Sequence, residues 1–288
     1  MNASNNGSPE ATSDLTDFSG QLVLVGAGKM GGALLEGWLR GGLDPARIAV
    51  LEPRPSPQLS ALAGGAGGGG VRLNPDPASV SDVTAIVIAV KPQVAAQVLP
   101  SLSPLIGLQS VVVSIMAGRT LQFLATTLQR KSAIVRAMPN LPAAIGRGIT
   151  VAVPFNVSTA QRELAQNLLA AIGTVEWIED EALMDAVTAL SGSGPAYVFL
   201  LAEALTRAGI AAGLPPRLAA KLARQTIAGS GELLDRSERD AAALRQSVTS
   251  PGGTTEAALA VLMAPDGLAP LINKAVAAAI RRSRELGG

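Results

Sequence analysis

Two glycine-rich stretches hold the residues best suited to chemistry, and each precedes helix-patterned sequence. The first, "LVLVGAGKMGGAL" over residues 22–34, sets Gly26, Gly28 and Gly31 in GxGxxG spacing directly after a short apolar run. Glycines at that spacing permit a tight turn and close approach of backbone to a pyrophosphate. The helix that follows presents its N–H groups and the positive end of its dipole. The second, "SVTSPGGTTEAAL" over residues 247–259, lies far from the first. Here Pro251, Gly252 and Gly253 break the chain, and Ser250, Thr254 and Thr255 supply hydroxyls. A helix capped by Thr254 or Thr255, with Glu256 in its first turn, would explain the threonines alone. It explains less well the Ser-Pro-Gly-Gly run before them. Taken together, these residues offer N–H and O–H donors around one concave spot, and so a second anion site.

What the composition lacks narrows the chemistry. The 288 residues include no His and no Cys. That removes His-based triads, thiol nucleophiles, disulfides and zinc sites built on either residue. Lys, Ser, Thr, Tyr, carboxylates, backbone groups or a cofactor must do the work. A formal net charge of +1 and only four Phe, two Trp and one Tyr give no reason to expect a nucleic acid or a membrane as partner.

The ends of the apolar runs carry further candidates. In "VLEPRP" an acid, Glu52, and a cation, Arg54, sit where a dinucleotide's ribose is read. An acid there suits the free 2′-hydroxyl of NAD, and an Arg suits the 2′-phosphate of NADP. With Arg54 offering a bidentate fork and Glu52 turned away, NADPH is the expected coenzyme and NADH the alternative. "IAVKP" and "SIMAG" end two more strands, so Ala89, Val90, Lys91, Pro92, Met116, Ala117 and Gly118 are expected along the cofactor crevice. Lys91 is a candidate catalytic acid, or a residue that orients ribose. In "RAMPNLP", Met138, Pro139 and Asn140 end another strand, where Asn140 could equally be a turn residue.

The elements that must position these residues follow from the apolar pattern. Short apolar runs at "QLVLVG", "RIAVLE", "DVTAIVIAVKP", "SVVVSIMAG" and "AIVRAMP" read as buried strands. "GITVAVP" is expected at a sheet edge, and "TVEWIE" closes the series. Strands alternating with helices imply an α/β domain with a doubly wound, mostly parallel sheet of Rossmann type. After about residue 180 the strand signals stop, and an all-helical half follows. The expected organisation is a disordered leader over 1–20, a nucleotide-binding domain over 21–179 and a helical domain over 180–288. The leader, "MNASNNGSPEATSDLTDFSG", has no basic or apolar signal region. The glycine run 64–70 reads as a loose surface connection. The longest apolar stretch, 195–213, carries Glu203 and Arg207, which suits a buried helix better than a membrane span. A cytoplasmic protein is therefore expected. Helices apolar on most sides must be buried on most sides, so the helical half is expected to form a subunit interface.

In order and spacing, "GAGKMG", "AVKP", "MPN.P", "LSGSGPAY" and "SVTSPGGTTEAAL" resemble the pyrroline-5-carboxylate reductase family over residues 21–286. The resemblance implies an NAD(P)H-dependent oxidoreductase that reduces the cyclic imine 1-pyrroline-5-carboxylate to L-proline. It implies a helical dimerisation domain, a homodimer and, beyond it, a decamer. It also implies site residues. Val25, Gly26, Ala27, Gly28, Lys29 and Met30, with Ala89 to Pro92 and Ile115, Met116 and Ala117, would line the coenzyme. Ser250, Gly253, Thr254 and Thr255 would hold the substrate carboxylate, with Thr255 Oγ near the ring nitrogen and the loop facing the nicotinamide across a dimer interface. Two positions depart from the family pattern: Leu141 replaces the threonine of "MPNTP", and Glu52-Pro53-Arg54 stands in the ribose-phosphate loop.

Two other classes fit part of the pattern. A β-hydroxyacid dehydrogenase would want a catalytic Lys in the helical half, where Lys221 and Lys274 sit in no glycine-lined turn. A non-catalytic dinucleotide sensor would keep Gly26 to Gly31 without needing the 250–255 cradle.

Overall fold

The computed structural model describes residues 14–64, 69–128 and 132–287. Most of the expected leader, and part of the glycine run 64–70, lie outside the described residues.

Each apolar run forms a strand: β1 (Gln21–Val25), β2 (Ile48–Leu51), β3 (Arg72–Leu73), β4 (Val83–Ile88), β5 (Val111–Ser114), β6 (Ala133–Met138), β7 (Gly148–Phe155) and β8 (Gly173–Trp177). They make one sheet in the order β3-β2-β1-β4-β5-β6-β7-β8. Every neighbouring pair is parallel except β6 and β7. The sheet-edge position expected for residues 148–154 is a correction. Gly148–Phe155 is an interior strand, antiparallel to β6 and parallel to β8, which takes the edge.

Side chains alternate across a strand, so a strand apolar at every position feeds two cores. Leu22, Leu24, Ala85, Val87, Val111 and Val113 enter one cluster, and Val23, Val25, Ile86, Ile88 and Val112 enter the other. Helices α1 (Lys29–Arg40), α2 (Pro57–Ala63), α3 (Ala95–Leu102), α4 (Leu121–Leu128) and α5 (Thr159–Ala170) cover the two faces. Leu34, Leu35 and Trp38 of α1 and Leu168 and Leu169 of α5 close the first cluster. Trp38 Nε1 donates to the Leu168 carbonyl at 2.8 Å, tying the two helices together. Leu99 and Leu102 of α3 and Leu124 and Leu128 of α4 close the second.

Residues 14–20, expected to belong to a disordered leader, are ordered where they are described. Leu15 is buried in the first cluster, and its N–H donates to the Gly41 carbonyl at 2.8 Å. Phe18 packs against the same cluster, so two apolar residues dock the polar segment.

The remaining helices are α6 (Met184–Val187), α7 (Gly194–Ala211), α8 (Pro216–Arg236), α9 (Ala241–Ser247), α10 (Thr254–Leu262) and α11 (Leu268–Gly287). A π-turn, Thr188–Gly192, links α6 to α7. By packing the chain forms two units. Ser193–Ala279 make the helical one, and the sheet unit runs to Gly192 and takes up the chain again from Ile280. The expected division at residue 180 thus differs from the packing boundary. Residues 181–192 are helical, yet Met184 sits in the second cluster of the sheet unit. Ser283 Oγ donates to Asp185 Oδ1 at 2.6 Å, and the Leu286 backbone lies against Gly118, so the end of α11 packs there too. No helix among the described residues is long and apolar enough to cross a membrane.

Candidate active site

In the sheet unit, the turn after β1 is built for close approach. Gly26 has φ +90°, and a Cβ there would press on the end of β4 at Ala89, 3.0 Å away. A Cβ on Gly31 would collide with the Gly26 carbonyl. Both glycines are required by the turn itself. Gly28 differs: a Cβ there would meet nothing within 4 Å. Nothing in the chain forbids a side chain at Gly28, so its bareness suits a ligand laid over the loop. Gly28 is also the N-cap of α1 and brings no side-chain hydrogen bond, and the first turn carries no acid. The opening N–H groups of α1 are left for an anion, which fits a dinucleotide pyrophosphate.

The strand ends converge beside this turn. The Ala89 N–H donates to the Val25 carbonyl at 2.8 Å and the Ile115 N–H to the Ile88 carbonyl at 3.0 Å, so the loops after β1, β4 and β5 are stitched in sequence. Val90 and Pro92 are half-buried, and Lys91 and Ala117 are exposed. Met116 is 2% exposed, with its side chain in the second cluster, so only its backbone faces outward chemistry. Arg119 joins two of these loops: Nε and Nη2 both donate to the Pro92 carbonyl, at 3.1 and 2.9 Å, while the guanidinium stacks on Phe123, 4.6 Å from its centroid. Sequence reasoning missed Arg119, because its role depends on a loop 27 residues away.

Glu52 does not turn away. Its Oε2 accepts the Ala27 N–H at 2.9 Å, inside the glycine turn, and its Oε1 accepts the Arg54 N–H at 3.0 Å. Its own backbone is gripped by Asn74, which accepts the Glu52 N–H at 2.8 Å and donates to the Glu52 carbonyl at 2.9 Å. The Arg54 side chain is exposed.

Asn140 is more than a turn residue. Its Oδ1 accepts the Ile149 N–H at 3.0 Å, and its Nδ2 donates to Ser191 Oγ at 3.2 Å. It thereby joins the end of β6 to β7 and to the π-turn, so two stretches singled out in the sequence, "MPN" and "SGSG", meet. The buried Arg136 pairs with Glu181 at 2.6 Å, and the same carboxylate oxygen accepts the Leu121 N–H at 2.8 Å. This ties β6 to the start of α4.

In the helical unit, residues 250–253 form a turn closed by the Gly253 N–H on the Ser250 carbonyl at 3.0 Å. Pro251 occupies its second position and Gly252, at φ +72°, its third, the pattern of a type II turn. The N-cap of α10 is Gly253, without a side-chain cap bond, which corrects the capping role expected for Thr254 or Thr255. Both threonines stand inside the first turn, and among the described residues neither hydroxyl makes a hydrogen bond. Glu256 reaches back instead, its Oε2 accepting the Gly252 N–H at 2.7 Å and holding the glycine turn in place. The result is an uncapped helix start flanked by Ser250, Thr254 and Thr255. Among the described residues no cluster of acidic side chains could hold a metal ion.

A glycine turn at a parallel sheet's switch point, followed by a helical unit, is the architecture of an NAD(P)-dependent oxidoreductase. Comparison with known proteins gives the family. Residues 181–286 match the model described as pyrroline-5-carboxylate reductase dimerisation, and residues 21–118 match that described as NADP oxidoreductase coenzyme F420-dependent. The pyrroline-5-carboxylate reductase of Pseudomonas aeruginosa is 39% identical over 92% of this chain and 96% of its own length. That of Synechocystis is 46% identical over 75% of this chain and 80% of its own. The solved structure from Coxiella burnetii superposes with a TM-score of 0.85 at 34% identity, covering 93% of this chain and 99% of that one. That from Plasmodium falciparum, solved with NADP bound, gives 0.77 at 28% identity, covering 93% and 98%. The chain belongs to the pyrroline-5-carboxylate reductase family.

Proposed function

We propose that this chain reduces 1-pyrroline-5-carboxylate to L-proline, using reduced nicotinamide dinucleotide held by the sheet unit. The observation that carries the reading is the α10 start: two threonine hydroxyls without a hydrogen bond among the described residues, and a first turn without a side-chain cap. Such a site suits a small carboxylate. In this reading Ser250, Gly253, Thr254 and Thr255 hold the substrate's carboxylate. Val25 to Gly31, Ala89 to Pro92 and Ile115 to Ala117 line the coenzyme.

The reaction fits a chain without His. When bound, the reduced nicotinamide supplies a hydride to the ring carbon of the C=N bond. A protonated imine is already electrophilic, so the protein's task is to orient it and exclude water. Thr255 Oγ accepts the ring N–H and so favours the protonated imine. That proton stays on nitrogen in the product amine, and no further acid is needed. Lys91 is accordingly assigned to orienting the coenzyme's ribose. The working form is a homodimer built through the helical unit, with a decamer of such dimers as the larger assembly. The enzyme works in the cytoplasm, where its coenzyme circulates.

The test follows absorbance of the reduced nicotinamide with purified protein and 1-pyrroline-5-carboxylate. Substrate-dependent loss is expected, and Thr255→Ala is expected to lower kcat/KM about ten- to a hundredfold, the worth of one or two good hydrogen bonds. Unchanged kinetics in that variant would remove Thr255 from the mechanism. No loss with either coenzyme, in folded protein that binds one of them, would overturn the reaction.

A further inference from the structure

The sequence leaves the coenzyme's 2′ position divided between Glu52 and Arg54, and the geometry points to Glu52. We infer that Glu52 is the residue that sets coenzyme choice in this chain, and that it selects NADH over NADPH. The inference rests on the oxidoreductase reading above and deepens it at the adenosine end.

Three observations carry it. The first is orientation: the carboxylate lies at the end of β2 with Oε2 on the Ala27 N–H, within the turn that a dinucleotide must cross. The second is fixation. Asn74 holds Glu52 by both backbone groups, at 2.8 and 2.9 Å. Asn74 is itself set in the left-handed region at φ 46°, with its N–H on the Val50 carbonyl at 2.8 Å. Swinging the loop away would break four hydrogen bonds counting those to Ala27 and Arg54. The third is the partner Glu52 does not have. Arg54 contributes its backbone N–H, at 3.0 Å, and not its guanidinium. Among the described residues no ion pair neutralises the carboxylate, so it keeps its charge toward the ribose.

The chemistry follows from acceptor count and sign. Each carboxylate oxygen accepts one backbone N–H and has a lone pair left, enough to take the hydroxyl hydrogens of a vicinal diol. A 2′-phosphate offers no such hydrogen and brings close to two negative charges against a fixed anion. The exposed Arg54 would have to offset that repulsion from a flexible side chain in solvent, where one ion pair is worth little. This reverses the NADPH preference expected from Arg54.

The experiment is a calorimetric titration of the full-length protein with NADH and, separately, NADPH, with no substrate present. The wild type is expected to bind NADH at least tenfold more tightly. Glu52→Gln keeps an acceptor for the Ala27 N–H and removes the charge, and is expected to bring NADPH affinity up about tenfold or more. Glu52→Ser, which removes the bulk as well, should carry NADPH past NADH. Equal or tighter NADPH binding by the wild type, or a ratio unmoved in both variants, would overturn the inference. Turnover of 1-pyrroline-5-carboxylate is measured beside it. Turnover without an NADH preference removes only the role of Glu52, whereas an NADH preference without turnover removes the reaction and leaves that role standing.

Discussion

β1 and α7 are both rich in apolar residues, and their fates are opposite. In β1, Leu22, Val23 and Leu24 have no exposed surface at all. In α7 no residue is buried, and Phe199 and Leu200 are more than half exposed in the single chain. Among the described residues of 193–279, Ala219 and Ala223 alone are buried. The difference is one of architecture. A parallel sheet buries two faces inside one chain, whereas helices apolar on most sides cannot cover one another within a short segment. Their cover comes from self-association, which is what the dimerisation model matched over 181–286 describes. Apolar composition is therefore a core in one unit and an interface in the other.

The contrast can be broken by asking whether a loss of stability depends on protein concentration, because only association depends on mass action. The largest effect is expected in the sheet. Leu24→Ala should cost about 2–5 kcal/mol through a buried cavity, and thermal unfolding should show the same fall at every protein concentration. A fall that fades on concentrating the sample would mean that the sheet also leans on the partner copy. Next comes Phe199→Ala, expected to weaken association by about 1.5–3 kcal/mol, the value of one buried aromatic side chain. Light scattering across a dilution series should show the monomer appearing at higher concentration than in the wild type. An unchanged dimer would place Phe199 outside the interface. The smallest effect sharpens the baseline. Glu179→Ala removes an exposed partner of Arg162, 3.3 Å away, while Arg162 keeps its stack on Trp177. It should cost less than about 1 kcal/mol, and a clear drop in melting temperature would show that surface charge matters more here than burial.

Much of the fold was legible because buried strands write themselves as apolar runs with glycine or proline at their ends. The turns at Gly26 to Gly31 and at 250–253 were legible for the same local reason: both are spelled by contiguous residues. What escaped depends on partners distant in sequence. Helix α3 was not read, since Pro100 lies within it and Lys91-Pro92 precedes it. The interior place of β7 depends on pairing with β6 and β8, which apolar content does not encode. The inward turn of Glu52 depends on Asn74, 22 residues on, and the clamp on Pro92 depends on Arg119. The burial of Met116 shows the same limit: a strand-end residue can line a crevice by its backbone while its side chain serves the core.

The end of α11 has a bearing on the order in which this protein can be made. Residues from Ile280 onward pack with the sheet unit, where Ser283 bonds Asp185 and Leu286 backs the Gly118 turn. They are synthesised after the entire helical unit. On the ribosome the sheet can assemble its strands early, but the loop after β5 gains this support only after the whole helical unit has been made. The nascent chain thus passes through the synthesis of residues 193–279 with the Gly118 turn still uncovered by Leu286.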